Sequence, residues 1–152
     1  MDPTKQPGIR FLGVYLERLD FAVTGEVPRP IPNALSLKIS RRVSDDKKSV
    51  RVRIDGDLFG NLPLNERPPI QFEFAVAGRF AVTETPNLSL DEFAVDHAPA
   101  HLVPYIRELI SNITMRSSLP ALSIGPLNVK AMVESGSATF EVSESEKEEQ
   151  QL

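Results

Sequence analysis

Three runs of alternating apolar and polar residues constrain this chain more than any other feature. They are ALSLKIS (34–40), SVRVRIDGDLF (49–59) and IQFEFAVAGRFAV (70–82). A period of two sends successive side chains to opposite faces of a sheet. Leu35, Leu37 and Ile39 share one face of the first run. Val50, Val52 and Ile54 share one face of the second, with Arg51, Arg53 and Asp55 opposite. Ile70, Phe72, Phe74 and Val76 share one face of the third. The polar turn SDDKK (44–48) closes the first two runs into an antiparallel hairpin. Upstream, RFLGVYLERLDFAV (10–23) also alternates, with a phase slip near Glu17–Arg18 that predicts a bulge. The three prolines of GEVPRPIPN (25–33) require an extended loop after it. Four strands in a simple antiparallel meander are expected, with a bulge or kink at Gly78.

Past Val82 the period changes. TETPNLSLDEFAVDHAPAH reads as a crossover with a short helical turn near Leu88–Val95. Leu102, Tyr105, Ile106, Leu109, Ile110 and Ile113 then follow a 3.6-residue repeat, with Pro104 fitting the first turn of a long helix. Val103 and Met115 widen its apolar stripe. Such a width suggests two packing partners, the sheet and a second subunit. LNVKAMVE can form a short second helix from Pro126, ended at Ser135–Gly136–Ser137. The fold class is therefore α+β, a four-stranded antiparallel sheet with a long helix and a short second helix packed on it. Residues 1–9 read as a flexible arm, 10–134 as one domain and 135–152 as an acidic, disordered tail.

Composition excludes several classes of function. There is no cysteine, which removes disulfides, thiolate nucleophiles and Cys-based metal sites. No apolar run is long enough to span a membrane, and MDPTKQPG has no secretory core. A cytoplasmic location fits both. The net charge is −4, and no basic patch in the sequence points to nucleic acid. Three of those excess negative charges sit in SESEKEEQQL (143–152), where four glutamates face one lysine. His97 and His101 have a helical metal-ligand spacing, but Pro99 lies between them, and packing or capping explains them better. No nucleophile elbow, phosphate loop or dinucleotide fingerprint is present. No catalytic residue, metal site or cofactor is expected, and the chain does not read as an enzyme.

One segment resists a bland reading. RSSLPALSIGP (116–126) should be a polar loop. It instead has no charge after Arg116 and carries Leu119, Leu122 and Ile124 between prolines. Together with the strand faces and the wide helix stripe, it offers more apolar surface than one small layer buries. On a soluble protein such an excess implies oligomerisation, a binding groove, or both.

The stretch APAHLVPYIRELISNITMRSSLPALSIGPLNVKAMV (98–133) resembles the SecB protein-export chaperones. Pro99, Pro104, Tyr105, Arg107, Glu108, Arg116, Pro120, Leu122, Pro126, Asn128 and Ala131 fall on the family pattern without a gap. VYLERLDFAV (14–23), ALSLKIS and EFAVAGRFAV (73–82) are similar to its first, second and fourth strands. The resemblance implies a homotetramer built as a dimer of dimers, with Tyr105, Leu109, Ile113, Val14 and Leu16 as interface candidates. It implies a passive holdase without ATP that grips unfolded preproteins in an apolar groove. Leu35, Leu37, Ile39, Phe72, Phe74, Leu119, Leu122 and Ile124 are the expected lining. Export members deliver clients to the SecA motor, and Glu73, Glu17 and Asp20 are the possible docking positions. Arg18 and Ala22 stand where the family usually carries Asp and Glu. A SecB-like chaperone dedicated to an antitoxin is the alternative. Outside the chaperone class, a hydrophobic small-ligand carrier or an oligomeric scaffold would use the same surface.

Overall fold

The computed structural model describes residues 8–83 and 89–142. Residues 1–7 of the expected arm, 84–88 of the crossover and 143–152 of the acidic tail lie outside the described residues. Strands β1 (Ile9–Val23), β2 (Ser36–Val43), β3 (Ser49–Asp57) and β4 (Ile70–Val82) form where the alternation places them. Their arrangement corrects the expectation in two ways. The order across the sheet is β1-β4-β3-β2-β5, so β1 pairs with β4 and the four are not a simple meander. Length explains this. The ladder from Ile9↔Val82 to Val23↔Ile70 runs the whole of both long strands, whereas β2 has only 8 residues. The proline-rich loop therefore connects opposite sides of the sheet. Thr24 N–H donates to Pro69 C=O (2.8 Å), Ala34 N–H donates to Leu58 C=O (3.0 Å), and Ile31 is buried.

The second correction is a fifth strand. β5 (Ala138–Val142) pairs in parallel with β2, from Leu37↔Ala138 to Arg41↔Val142, so the sheet is mixed rather than four-stranded antiparallel. ATFEV is short and abuts the glutamate run, which masked its alternation. The bulge expected near Glu17–Arg18 is present between Leu16 and Arg18, with another between Phe11 and Gly13. Gly78 is not a bulge. Its missing side chain admits helix α2, because a Cβ there would lie 2.6 Å from Leu102 Cδ2. Gly56 plays the same part within the sheet, where the Phe74 ring lies across it.

The sheet has two unlike faces. Leu37, Ile39, Val50, Val52, Ile54, Phe72, Phe74, Val76 and Phe80 point to the helices and are buried. Helix α1 (Leu90–Asp96) is capped by Ser89, whose Oγ accepts from Glu92 N–H (3.1 Å). Helix α2 runs from Ala98 to Arg116, so it begins before the expected start. Pro99 fills its first turn, and Pro104 lies inside the helix. The wide stripe resolves into two rows. Ala98, Leu102, Ile106, Ile110 and Thr114, four residues apart, are buried against the sheet. Tyr105, Leu109 and Ile113 lie beside them and are only partly covered. Helix α3 (Val129–Ser135) starts at Val129 rather than Pro126. Asn128 caps it through Ala131 N–H (3.0 Å), and Gly136 at φ 85° ends it.

His97 and His101 pack with aromatic rings. The His97 ring stacks on Phe93 at 5.9 Å between centroids, and His101 stacks on Phe11 at 6.1 Å and meets Phe80 edge-on at 5.8 Å. Partial burial lowers the pKa of His101, and the neighbouring His97 lowers it further.

Two predictions arise from this packing. Gly56→Ala forces a methyl into the Phe74 ring and should destabilise the fold by about 1–3 kcal/mol in urea unfolding. An unchanged midpoint would mean the ring moves aside freely. The depressed pKa of His101 stabilises the fold above the imidazole's ordinary pKa, and this contribution is lost as pH falls through the lowered folded-state value. The wild type should therefore lose more stability than His101→Phe when both are titrated from neutral to mildly acidic pH. Parallel losses would remove His101 as the cause.

Candidate functional site

A groove of about 860 Å³ opens on the helix side of the sheet, between the α1–α2 corner and α3 with β5. Ile39 and Phe140, paired across β2 and β5, lie at its sheet side. Val95, Pro99 and Ala100 line one wall. Leu127, Val129 and Val133 line the other, with Lys130 and Glu134 among the polar lining. Val95 and Val133 are 45% and 40% exposed, so the groove offers apolar surface to solvent. No residue of α3 is fully buried. The groove's apolar lining and open shape suit an extended apolar segment.

Only Ile39 of the expected lining residues borders this groove. Leu35, Leu37, Phe72 and Phe74 are buried among the core side chains of the chain. Leu119 is buried as well, and Leu122 and Ile124 pack against the same cluster. The apolar loop is fastened onto α2 by polar bonds. The buried Thr114 hydroxyl donates to Ile110 C=O (2.8 Å) and accepts from Leu122 N–H (2.8 Å). Arg107 Nε donates to Ile124 C=O (3.0 Å), and Leu119 N–H donates to Ser117 Oγ (3.1 Å). Sequence reasoning missed Val95, Val129, Val133 and Phe140. The spacing of the two valines in VKAMVES and the alternation in ATFEV were the available signals.

A second apolar depression, about 270 Å³, lies between β1 and α2. It brings together Val14, Leu16, Tyr105 and Leu109, four of the five interface candidates, with Val76 at its base. Ile113 packs against the core cluster nearby. Leu16 is 51% exposed and Tyr105 40%. β1 is an outer strand of the sheet, so this apolar patch continues along an unpaired backbone edge.

The other face of the sheet is charged. Glu17 binds Arg51 and, at 3.1 Å, Arg53, while Arg53 also reaches Asp55 at 3.0 Å. Asp20 binds Arg18 at 2.6 Å. Glu73, opposite Asp20 in the ladder, lies 3.8 Å from Arg18 and accepts from Gln71 (2.9 Å). All three motor-docking candidates are thus gathered on one face, each beside an arginine. Among the described residues no three His, Asp or Glu side chains converge as metal ligands, and no helix is long and apolar enough to cross a membrane.

The strand order, the helix pair and the groove fit one kind of protein, a small α+β chaperone that presents apolar surface beside its sheet. The family model described as preprotein translocase subunit SecB matches residues 32–139. The chain belongs to the SecB family and is a SecB-like chaperone. It is 25% identical over 133 residues to the protein-export protein SecB of Nitrobacter hamburgensis, covering 83% of this chain and 81% of that one. It is 37% identical over 60 residues to SecB of Histophilus somni, a match covering 40% of this chain and 35% of the other. In fold it is similar to the SecB-like chaperone Rv1957 of Mycobacterium tuberculosis, solved in complex with a peptide from the HigA1 antitoxin. That likeness has a TM-score of 0.64 at 21% identity and covers 79% of this chain and 91% of the other.

Thr114→Val keeps the shape of the side chain but leaves Leu122 N–H without its acceptor. It should cost about 1–3 kcal/mol of stability and speed hydrogen exchange at Leu122. A silent substitution would show that the loop is held by its leucines alone.

Proposed function

We propose that the protein is a nucleotide-independent, non-enzymatic holdase of the cytoplasm that takes extended apolar segments of unfolded preproteins into the groove between α1–α2 and α3–β5. The observation that carries this reading is the open apolar wall formed by Val95 and Val133 in a member of a chaperone family. Each client leucine or phenylalanine buried there contributes about 1.5–3 kcal/mol before ordering costs. Single contacts are weak and tolerant of sequence. Assembly through Val14, Leu16, Tyr105, Leu109 and Ile113 into a homotetramer would set several grooves along one client and raise avidity by roughly 10²–10⁴. A client that folds buries its own apolar residues and leaves.

Leu37, Phe72 and Phe74 would serve by building the core on which the elements of the groove rest. Leu119, Leu122 and Ile124 would serve by holding α2 and the loop in place. Delivery to SecA for export is the family's role and the first reading here. A second reading, service to an antitoxin, is supported by a specific observation. Arg18, Arg51 and Arg53 compensate the acidic trio of Glu17, Asp20 and Glu73 that a motor would recognise. The Mycobacterium relative in fold also carries an antitoxin peptide.

The wild type should suppress light scattering from a chemically unfolded client on dilution. Val95→Asp/Val133→Asp should need at least about ten times more chaperone, the equivalent of one buried apolar contact. Both positions are exposed, so folding is spared. Equal protection by the variant would remove the groove from the mechanism, and no protection by the wild type at excess would remove the general holdase. Calorimetric titration with purified SecA separates the two readings. Export requires binding by the wild type, whereas a dedicated antitoxin chaperone binds the antitoxin and not the motor.

A further inference from the structure

β5 is an outer strand, with β2 on one side and, among the described residues, no strand beyond it on the other. The register sorts its backbone groups. Leu37 N–H donates to Ser137 C=O (3.1 Å), and β5 pairs with β2 from Leu37↔Ala138 onward. Along an extended strand successive residues turn their N–H and C=O toward opposite edges. Ser137 and Thr139 therefore turn theirs to β2, and Ala138 and Phe140 turn theirs to the outer edge. The strand ATFEV carries no proline, lysine or register shift, the usual guards of such an edge. β1, at the other end of the sheet, is interrupted by two register shifts and borders the depression that gathers the interface candidates.

The outer edge and the groove meet at one residue. Phe140 gives its backbone to the edge and its side chain to the groove, where it lies beside Ile39. A residue directly opposite Phe140 on an added strand would point to the same face of the sheet. So would the residue opposite Ala138, about 6.6–6.8 Å further along. Thr139, between them, is exposed on the opposite face. One extended segment could thus pair with the main-chain groups of the edge and bring two side chains to the apolar lining together.

Given the holdase reading, on which this inference rests, we propose that a client segment joins the sheet as a strand beside β5. Backbone bonds to Ala138 and Phe140 hold it, and two apolar residues at i and i+2 turn toward the groove. The occupant is an extended segment in which apolar residues alternate with others. Backbone bonding is blind to sequence, and the groove reads only the alternation. A helical segment, with its apolar residues three and four apart, cannot pair in this way.

The probe is an end-blocked peptide of two phenylalanines separated by one threonine and flanked by threonines, titrated into the isotope-labelled full chain. Binding should slow hydrogen exchange at the Ala138 and Phe140 amides, which should exchange freely beforehand. N-methylation of the peptide should separate its residues into two alternating sets. One set should weaken binding by at least about tenfold, and the other should be tolerated, because only alternate N–H groups face β5. In an antiparallel addition the weakening set is the phenylalanines. Phe140→Pro should also bind the peptide more weakly than Phe140→Ala, since both lose the ring and only the first loses the N–H. Equal effects of the two methylated sets would overturn the strand addition, as would Ala138 and Phe140 amides already protected in the free protein. Loss of protection at Thr139 would overturn it too, because the peptide would then be displacing β5 from β2. Absence of peptide binding by a wild type that still protects an unfolded client would overturn the strand addition alone. Failure of both would remove the holdase with it.

Discussion

The approach of helix α2 to strand β4 is the contact on which the remaining structure depends. Gly78 leaves space for Leu102, and the buried row of Ala98, Leu102, Ile106 and Ile110 follows the same line down the sheet. β4 can receive a helix because it is an interior strand, paired with β1 on one side and β3 on the other, and carries Gly78 where the helix approaches. With α2 seated there, the middle of one face of the sheet is closed. Thr114, at the end of the same row, then fixes the apolar loop by accepting Leu122 N–H. The loop is apolar because it completes this core. A polar loop would place groups without partners against Ile110 and the strand side chains, at a cost of about 1–3 kcal/mol each.

The same seating divides the apolar surface that one layer cannot bury. α2 covers the middle of the sheet and leaves apolar residues uncovered on either side. Toward β1, Leu16 and Tyr105 border a shallow depression. Toward β2 and β5, Ile39 and Phe140 border the larger groove. The two sites are thus separated by the helix that creates both. The division suits the proposed function, in which one apolar site would serve assembly while the other stays available to a client.

Most of the fold was legible because its strands alternate and its helix repeats. β4 was readable to its ends, Ile70 and Val82, and the slip at Glu17–Arg18 is a bulge in the structure. Pairing was less legible. Periodicity says which face a residue takes and nothing about which strand lies beside it, so β1 next to β4 was not anticipated. β5 was hidden by length, since five residues beside an acidic run give too few repeats to count. Residues of the groove were the least legible part. Leu37, Phe72 and Leu119 carry the strongest apolar signals, and for that reason they lie in the core. The exposed wall comes from Val95 and Val133, isolated valines whose role depends on where α1 and α3 come to rest.

The way α3 is held bears on how the groove could accept varied segments. It has seven residues and none is fully buried. Its hold comes from Val129 and Met132, which pack partly buried against the core, together with the Asn128 cap, the left-handed Gly136 and the strand that follows, where Ala138 is buried. An element with few buried apolar contacts opens locally at lower free energy than the core beneath it. The opposite wall differs, because Phe93, Ala94 and Ala98 pack into the core. One wall is therefore fixed by fully buried contacts that also seat α2, while the other rests on partly buried side chains, caps and an outer strand. That asymmetry favours changes in groove width over changes in the sheet, which suits the capture of varied apolar segments proposed for this site.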